Sequence, residues 1–454
     1  MKIDMPTQVK EIIAVLQQNG YRAYAVGGCI RDTIMGIPPS DWDICTSSLP
    51  QETLDALGAQ NIVENGMKHG TVTVRRNGQN YEITTFRTDG VYLDNRHPQN
   101  VQFVRTLEQD LARRDFTVNA MAYNDTDGLC DCFGGTEDIQ RKLIRCVGNP
   151  DQRFQEDGLR ILRALRFSSQ LGFEIESSTA DSIRKNAHLL QNISAERILS
   201  ELIKILTGKN VEYILLHYSG VLEVFLPEIR PMVGLEQNNP HHIYDVWTHT
   251  VKTVAAIPPE RTLRLAALFH DFGKPDRHTV DSNGIGHFKG HPEVSAVMAE
   301  KILIRLKSDN QTKSDVAAII RMHDARPPAE PKYVRRQMAK LGERRYPMLL
   351  ELKKADSLAQ NPRTIPQKLE YISRLNKIYQ NEMKQGGAVT IKSLAVNGND
   401  MINLGIKDGR MIGECLNTLC QLVIDGEVDN EKGALMIKIK ELYGSTKTRN
   451  SNGI

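Results

Sequence analysis

The sequence predicts an α+β protein in which a mixed α/β head precedes an all-α remainder. Three observations carry this. Short runs rich in β-branched and aromatic residues (24–26, 71–74, 81–86 and 101–104) lie within residues 20–140 and are separated by Gly, Asn and Asp turn signals. From about residue 150 onward such runs become rare, and apolar residues recur at helical spacing, as in 158–170, 194–206 and 263–269. The chain's 454 residues also exceed the about 100–200 residues of a single domain, so several packed parts are expected.

Composition removes whole classes of function. With 40% hydrophobic and 25% charged residues, and no apolar run near the roughly 20 residues that cross a bilayer, membrane and disordered readings both fall away. Seven cysteines, an odd number scattered along the chain, do not make a disulfide framework. The net charge of +3 neither demands nor excludes a nucleic-acid partner. No basic stretch followed by an apolar one opens the chain; Val9, Ile12, Ile13 and Leu16 instead fit one face of an amphipathic helix after Pro6, and a cytoplasmic location is expected.

Along the head, the strand at 24–26 runs into Gly27-Gly28, followed by Arg31 and Asp32 at the start of a helix. Glycines there let backbone N–H groups approach a triphosphate, although a Gly-Gly pair alone is usually only a turn. Asp41 and Asp43 flank Trp42; on a strand over 42–45 their spacing points both carboxylates to one face, where they share a divalent ion. Glu82, an acid in a strand-like run, is the natural third carboxylate, though the three acids read singly also fit a solvated turn and a surface strand.

Farther on, Asp157 and Arg160 are three apart on an expected helix, so a carboxylate acceptor and a forked donor stand side by side. That pair imitates a Watson–Crick edge: cytosine and adenine match it, whereas uracil and guanine are left mispaired. In the helical region, Pro258-Pro259, Pro327-Pro328 and Gly386-Gly387 mark breaks. Eight of the twelve histidines fall between residues 241 and 323. His249, His270-Asp271, His291 and His323, with Asp356 beyond, form an ordered set of metal-ligand types, while His241, His242, His278 and His287 have no assigned role.

Four ordered motifs, VGGCIRD (26–32), SDWDI (40–44), RRDFTVNAMAY (113–123) and EDGLRILRALRF (156–167), resemble the class II tRNA nucleotidyltransferases and bacterial poly(A) polymerases. The similarity continues through ISAERI (193–198) and a segment at 393–398. It implies a five-stranded nucleotidyltransferase head over 1–142, a helical neck and start of the body over 143–225, and a helical, tRNA-binding tail over 366–454. Asp41 and Asp43 would hold Mg²⁺, with Glu82 the third catalytic acid. Gly27, Gly28, Arg31, Asp32, Arg113, Arg114, Asp115, Asn119, Asp157, Arg160, Arg163 and Arg166 would bind the nucleotide.

The implied reaction adds C, C and A to tRNA 3′ ends from CTP and ATP. Residues 87–98 resemble a flexible loop of full CCA-adding members, and Arg163, Arg166, Lys185 and Lys204 are candidates to grip tRNA phosphate. The order His…His-Asp…His…His…Asp resembles the HD phosphohydrolases, implying a domain at 226–365 with one divalent transition metal (Mn, Fe, Ni, Co or Zn) and a second activity on a 2′,3′-cyclic phosphate or phosphomonoester. An A-adding enzyme or poly(A) polymerase of the same fold, a stand-alone HD phosphohydrolase, and either a monomer or a homodimer all stay open.

Overall fold

The structure of the protein is a computed structural model. It describes residues 2–58, 62–63, 67, 70–89, 101–386 and 389–443. The loop expected at 87–98 lies outside these residues from position 90 on. The chain divides into two compact units, residues 1–230 with 305–307, and residues 231–304 with 308–454.

The first unit opens with the helix Thr7–Gln18, which buries Val9, Ile12, Ile13 and Leu16 as their spacing predicts. Strands β1 (Ala23–Val26), β2 (Ile44–Thr46), β3 (Ile62–Val63), β4 (Thr71–Arg76), β5 (Gln79–Thr85), β6 (Arg87–Asp89), β7 (Val101–Phe103), β8 (Ala122–Asn124) and β9 (Gly128–Cys130) follow. Seven of them form one sheet in the order β3-β4-β5-β2-β1-β8-β9, while β6 and β7 pair with each other. The sheet has seven strands where five were expected, and three of the seven, the two-residue β3 and the short β8 and β9, carry no readable alternation.

β4 and β5 are joined by Asn77-Gly78, both at positive φ (50° and 80°), the two-residue turn whose twist matches that of the flanking strands. β2 runs antiparallel to β1, pairing Ile44 with Ala25, and parallel to β5, pairing Ile44 with Ile83. Tyr24, Val26, Cys45, Phe86, Leu107, Leu111, Ala120, Ala122 and Val147 pack as one buried cluster. Beyond the sheet, the helices Leu159–Leu171 and Ala195–Leu206 pack against each other, fixed by a hydrogen bond from Ser169 Oγ to the Ile205 carbonyl at 2.6 Å.

Apart from two short hairpin strands, the second unit is helical. Val246–Ala256, Arg261–Phe269, Asn310–Met322 and Arg345–Leu358 pack on one another; His249 lies within the first, His270 and His323 directly follow the second and third, and His291 opens a further helix, His291–Arg305. Residues 394–439 form a separate core in which Met401, Cys415, Leu419, Leu435 and Ile439 are fully buried. The breaks expected at Pro258-Pro259 and Pro327-Pro328 fall between helices. Among the described residues no helix is long and apolar enough to cross a membrane.

Candidate functional site

Two sites emerge, one in each unit. In the first, β2 begins at Ile44, so Asp41 and Asp43 precede the strand instead of lying on it, a correction to the expected strand at 42–45. The pairing nevertheless extends past the strand end, because the Val26 N–H donates to the Asp43 carbonyl at 2.9 Å. The register Ile44–Ile83, stepped back by one, sets Asp43 beside Glu82 on the neighbouring strand. Glu82 is exposed between buried Tyr81 and Ile83, as alternation requires.

Burial and neighbouring charge act together on Asp43. The Asp43 carboxyl is pushed up to about 6, first by the loss of water around it, then by the negative charges of Asp41 and Glu82, with Arg114 opposing. Its surface is still open to solvent, so accessible surface and dehydrated surroundings coincide, as they do in a cleft. Their ligand atoms do not close to within 4.8 Å as a group of three, in contrast to the histidine site.

Arginines surround this point. Gly27 adopts φ +85°, and a Cβ there would sit 3.0 Å from Arg114 Nη1, so only glycine lets that guanidinium lie over the backbone. Arg113 and Arg114 are both anchored by Asp110, through Arg113 Nη2–Oδ1 at 2.8 Å and Arg114 Nη2–Oδ2 at 3.2 Å. Burial would raise the Asp110 carboxyl, but the two guanidiniums hold it below the usual carboxylate range. Asp110 was missed in the sequence, although its i, i+3 and i, i+4 spacing to the two arginines is the signal that marks such an anchor.

Five of the expected nucleotide-binding residues are linked in one chain. Arg31 donates to Asp32 at 2.8 Å and to Asn119 Oδ1 at 2.6 Å; Asn119 Nδ2 donates to Asp115 at 3.3 Å; Arg163 Nε donates to Asp115 at 2.7 Å. Burial pushes the Asp115 carboxyl up, yet Arg163 and Arg160 bring it down to about 2, so it is ionised at neutral pH.

Two expectations need correction. Asp157 and Arg160 do not stand side by side on one helix: Asp157 is the residue after the helix Pro150–Glu156, and the next helix starts at Leu159. Asp157 instead accepts from Arg197 at 3.0 Å, and Arg160 donates to Glu156 at 2.6 Å. The helix breaks at Asp157 itself, which is extended (φ −139°, ψ 105°) while Gly158 already has helical dihedrals, and sequence spacing alone did not reveal this. Nor do Arg163 and Arg166 present a free basic surface, since Arg163 holds Asp115 and buried Arg166 holds Glu201 at 3.0 Å. Lys185 is exposed but paired with Asp151, and Lys204 lies 3.5 Å from Glu201.

The second site gathers His249, His270, Asp271, His291, His323 and Asp356, residues spread over more than a hundred positions. Every imidazole Nδ1 faces a main-chain carbonyl: His249 with Ala359 at 3.2 Å, His270 with Ala267 at 2.7 Å, His291 with Phe288 at 2.9 Å and His323 with Ile320 at 2.7 Å. The ring proton is thereby placed on Nδ1, and the Nε2 lone pairs converge. His249 and His270 meet Nε2 to Nε2 at 3.4 Å, His291 and His323 at 3.3 Å.

Asp271 lies between the pairs. Its Oδ2 is 3.4 Å from His249 and 3.2 Å from His270, and its Oδ1 is 3.3 Å from His291. Asp356 Oδ1 approaches His249 Nε2 to 3.0 Å. Two ligand groups share Asp271, one with His249 and His270 and one with His291 and His323. Neither oxygen of buried Asp271 receives an aligned hydrogen bond, although Lys274 Nζ stands 2.7 Å from Oδ2. Opposed lone pairs and an unsatisfied buried carboxylate fit divalent metal and are otherwise costly. Burial, with His270 and His291 nearby, pushes His323 down to about 3 and keeps it a neutral ligand. Of the unassigned histidines, His287 pairs with Asp281 and His278 stacks on Phe288, whereas His242 packs edge-on to His249.

Known proteins resemble the chain along its whole length. Residues 23–145 match the poly A polymerase head domain, 172–232 the RNA- and SrmB-binding site of polymerase A, and 291–439 the tRNA nucleotidyltransferase domain 2. The chain is 47% identical to a CCA-adding enzyme of Ligilactobacillus salivarius over 46% of its own length and 52% of that protein. It is 34% identical to the CCA-adding enzyme of Geobacillus stearothermophilus over 97% of both chains. The crystal structure of the Bacillus stearothermophilus CCA-adding enzyme in complex with CTP superposes with a TM-score of 0.72 at 30% identity, over 98% of this chain and 99% of that one. With identity at this level sustained from end to end, the chain belongs to the CCA-adding enzymes, which are nucleotidyltransferases.

Proposed function

We propose that this protein adds C, C and A in turn to tRNA 3′ ends, taking CTP and ATP as substrates and no nucleic-acid template, in the cytoplasm. What supports the reading is the strand register that sets Asp43 beside Glu82, with Asp41 two residues before it and Arg113 and Arg114 braced by Asp110, in a chain related end to end to CCA-adding enzymes. The family works with a divalent cation; Asp41 and Asp43 are the residues that would hold it, as Mg²⁺. When bound, that ion supplies positive charge for the triphosphate and for the attacking 3′-hydroxyl.

The chain's own residues do the rest. Arg113 and Arg114, braced by Asp110, would clamp phosphate, while Gly27 and Gly28 let the backbone approach it. Arg31, itself held by Asp32, holds Asn119, and Asn119 with ionised Asp115 would receive the ribose hydroxyls. Asp157 and Arg160 would read the base after releasing Arg197 and Glu156. Lys185, Lys204 and the tail from about residue 366 would meet tRNA phosphate.

The test is incubation with Mg²⁺ and tRNA transcripts ending in N, NC and NCC, with CTP, ATP or both. Three added nucleotides, only with both, is the expected result. Growth limited to A on a CC end, or long A tails on any RNA, would instead assign an A-adding enzyme or a poly(A) polymerase.

The geometry of the histidine cluster favours a second reading beside the first. His249, His270, His291, His323, Asp271 and Asp356 would hold divalent transition metal (Mn, Fe, Ni, Co or Zn), with Asp271 common to two ligand groups where the sequence suggested one. That site would hydrolyse a phosphoester, as in HD phosphohydrolases. His270→Ala would remove this activity, and Asp41→Ala would leave it.

A further inference from the structure

The cavity over the histidine cluster is open on two sides. One lobe, about 470 Å³, extends from Asp271 and His291 toward Lys274, Phe288 and Lys289. The other, about 370 Å³, extends toward Lys353, Lys368 and Tyr371. His323, Arg326 and Asp356 line both, so the ligand cluster sits where the lobes meet.

Each lobe has its own positive charge and its own aromatic ring, Phe288 in the first, stacked on His278, and Tyr371 in the second. In the first, Lys274 Nζ lies 5.3 Å from the Phe288 ring centroid, and exposed Lys289 stands at the rim. In the second, the Tyr371 hydroxyl donates to the Pro327 carbonyl at 2.6 Å, which fixes its ring, and Lys368 is bonded to Gln360. A terminal phosphomonoester needs room for one substituent only. Room, cations and an aromatic face on both sides suit a phosphate that carries a substituent at each end.

Resting on the HD reading of this site, we propose that its substrate is a linear phosphate linkage, a phosphodiester or phosphoanhydride between two nucleoside groups, bound with one arm in each lobe. The oxygen of a water forms a new bond to phosphorus, and the P–O bond to one arm breaks with its electron pair on that arm's oxygen. One water proton passes to the leaving oxygen or to solvent. A diester yields a monoester and an alcohol, an anhydride two phosphates, and no electrons are transferred.

The test uses the full chain loaded with manganese. Calorimetry compares a phosphorothioate-linked thymidine dinucleotide, which resists hydrolysis, with thymidine 5′-monophosphate, on the unaltered protein and on Lys289→Ala and Lys368→Ala, with Lys368→Gln as a milder second variant. The expected result is about tenfold weaker dinucleotide binding in variants of either lobe, with the monophosphate weakened by only one of them. Binding of the monophosphate alone, or dinucleotide binding weakened by a variant of one lobe only, overturns the proposal. Hydrolysis of bis(p-nitrophenyl) phosphate beside p-nitrophenyl phosphate separates the failures. Cleavage of the monoester only would retain a phosphohydrolase and discard the two-armed substrate, whereas absent manganese binding and no cleavage would discard both.

Discussion

Asp43 is asked to be ionised in a place that opposes ionisation. Its carboxyl is raised to about 6 by dehydration and by Asp41 and Glu82, so in the cation-free protein it carries a proton below that pH. Divalent cations need the ionised form, and affinity for Mg²⁺ is expected to fall as pH drops from 7.5 through 6, where an ordinary aspartate would hold its charge to about 4. Calorimetric titrations at several pH values check this; a flat profile would contradict it. The stability sign is the reverse. Because the folded value lies above the unfolded one, ionised Asp43 destabilises the cation-free fold above pH 6, and that cost fades as pH falls toward the unfolded value. Asp43→Asn should therefore raise the melting temperature at pH 7.5 while lowering nucleotide incorporation by at least about 10³-fold. Asp110 is the opposite case, a fully buried carboxylate with two guanidiniums. Asp110→Ala leaves both without their partner and is expected to cost about 3–5 kcal/mol in urea unfolding.

Between elements, the turn at Asp157-Gly158 decides what can be read. The carboxylate of Asp157 accepts from the Leu159 N–H at 3.0 Å and from Arg197 on the helix Ala195–Leu206. Arg197→Ala is expected to free Asp157 and loosen base choice, raising UTP incorporation relative to CTP about tenfold, measured as the ratio of kcat/KM values; an unchanged ratio would separate Arg197 from selection. This turn also shows where sequence reading stopped. The acids at 41, 43 and 82 were legible because acids in strand-like surroundings are conspicuous, and the HD set was legible because histidines are rare. The apolar faces of the helices Thr7–Gln18 and Leu159–Leu171 were legible from spacing. Pairings chosen across elements were not: that Arg166 meets Glu201, that Arg160 meets Glu156 after a helix break, and that Asp271 serves two histidine pairs all depend on packing that periodicity does not encode.

At the scale of the whole chain, the two candidate sites belong to different compact units and, on the proposed reading, would take different ions. Hard oxygen ligands in the first suit Mg²⁺, and imidazoles in the second suit transition metals. Calorimetric unfolding with and without a chelator should show the difference. Manganese or zinc at about 100 times its dissociation constant is expected to add about 2.7 kcal/mol, and His270→Ala to abolish that gain; an unfolding profile indifferent to chelator would remove metal from the second unit. The four carbonyl-tethered imidazoles have a kinetic consequence as well. Since main chain already fixes each ring's orientation and tautomer, an arriving ion waits for no rearrangement of the protein. The rate of loading then depends on how quickly the ion sheds its own hydration shell, and among competing metals the first occupant is set by water exchange before it is set by affinity.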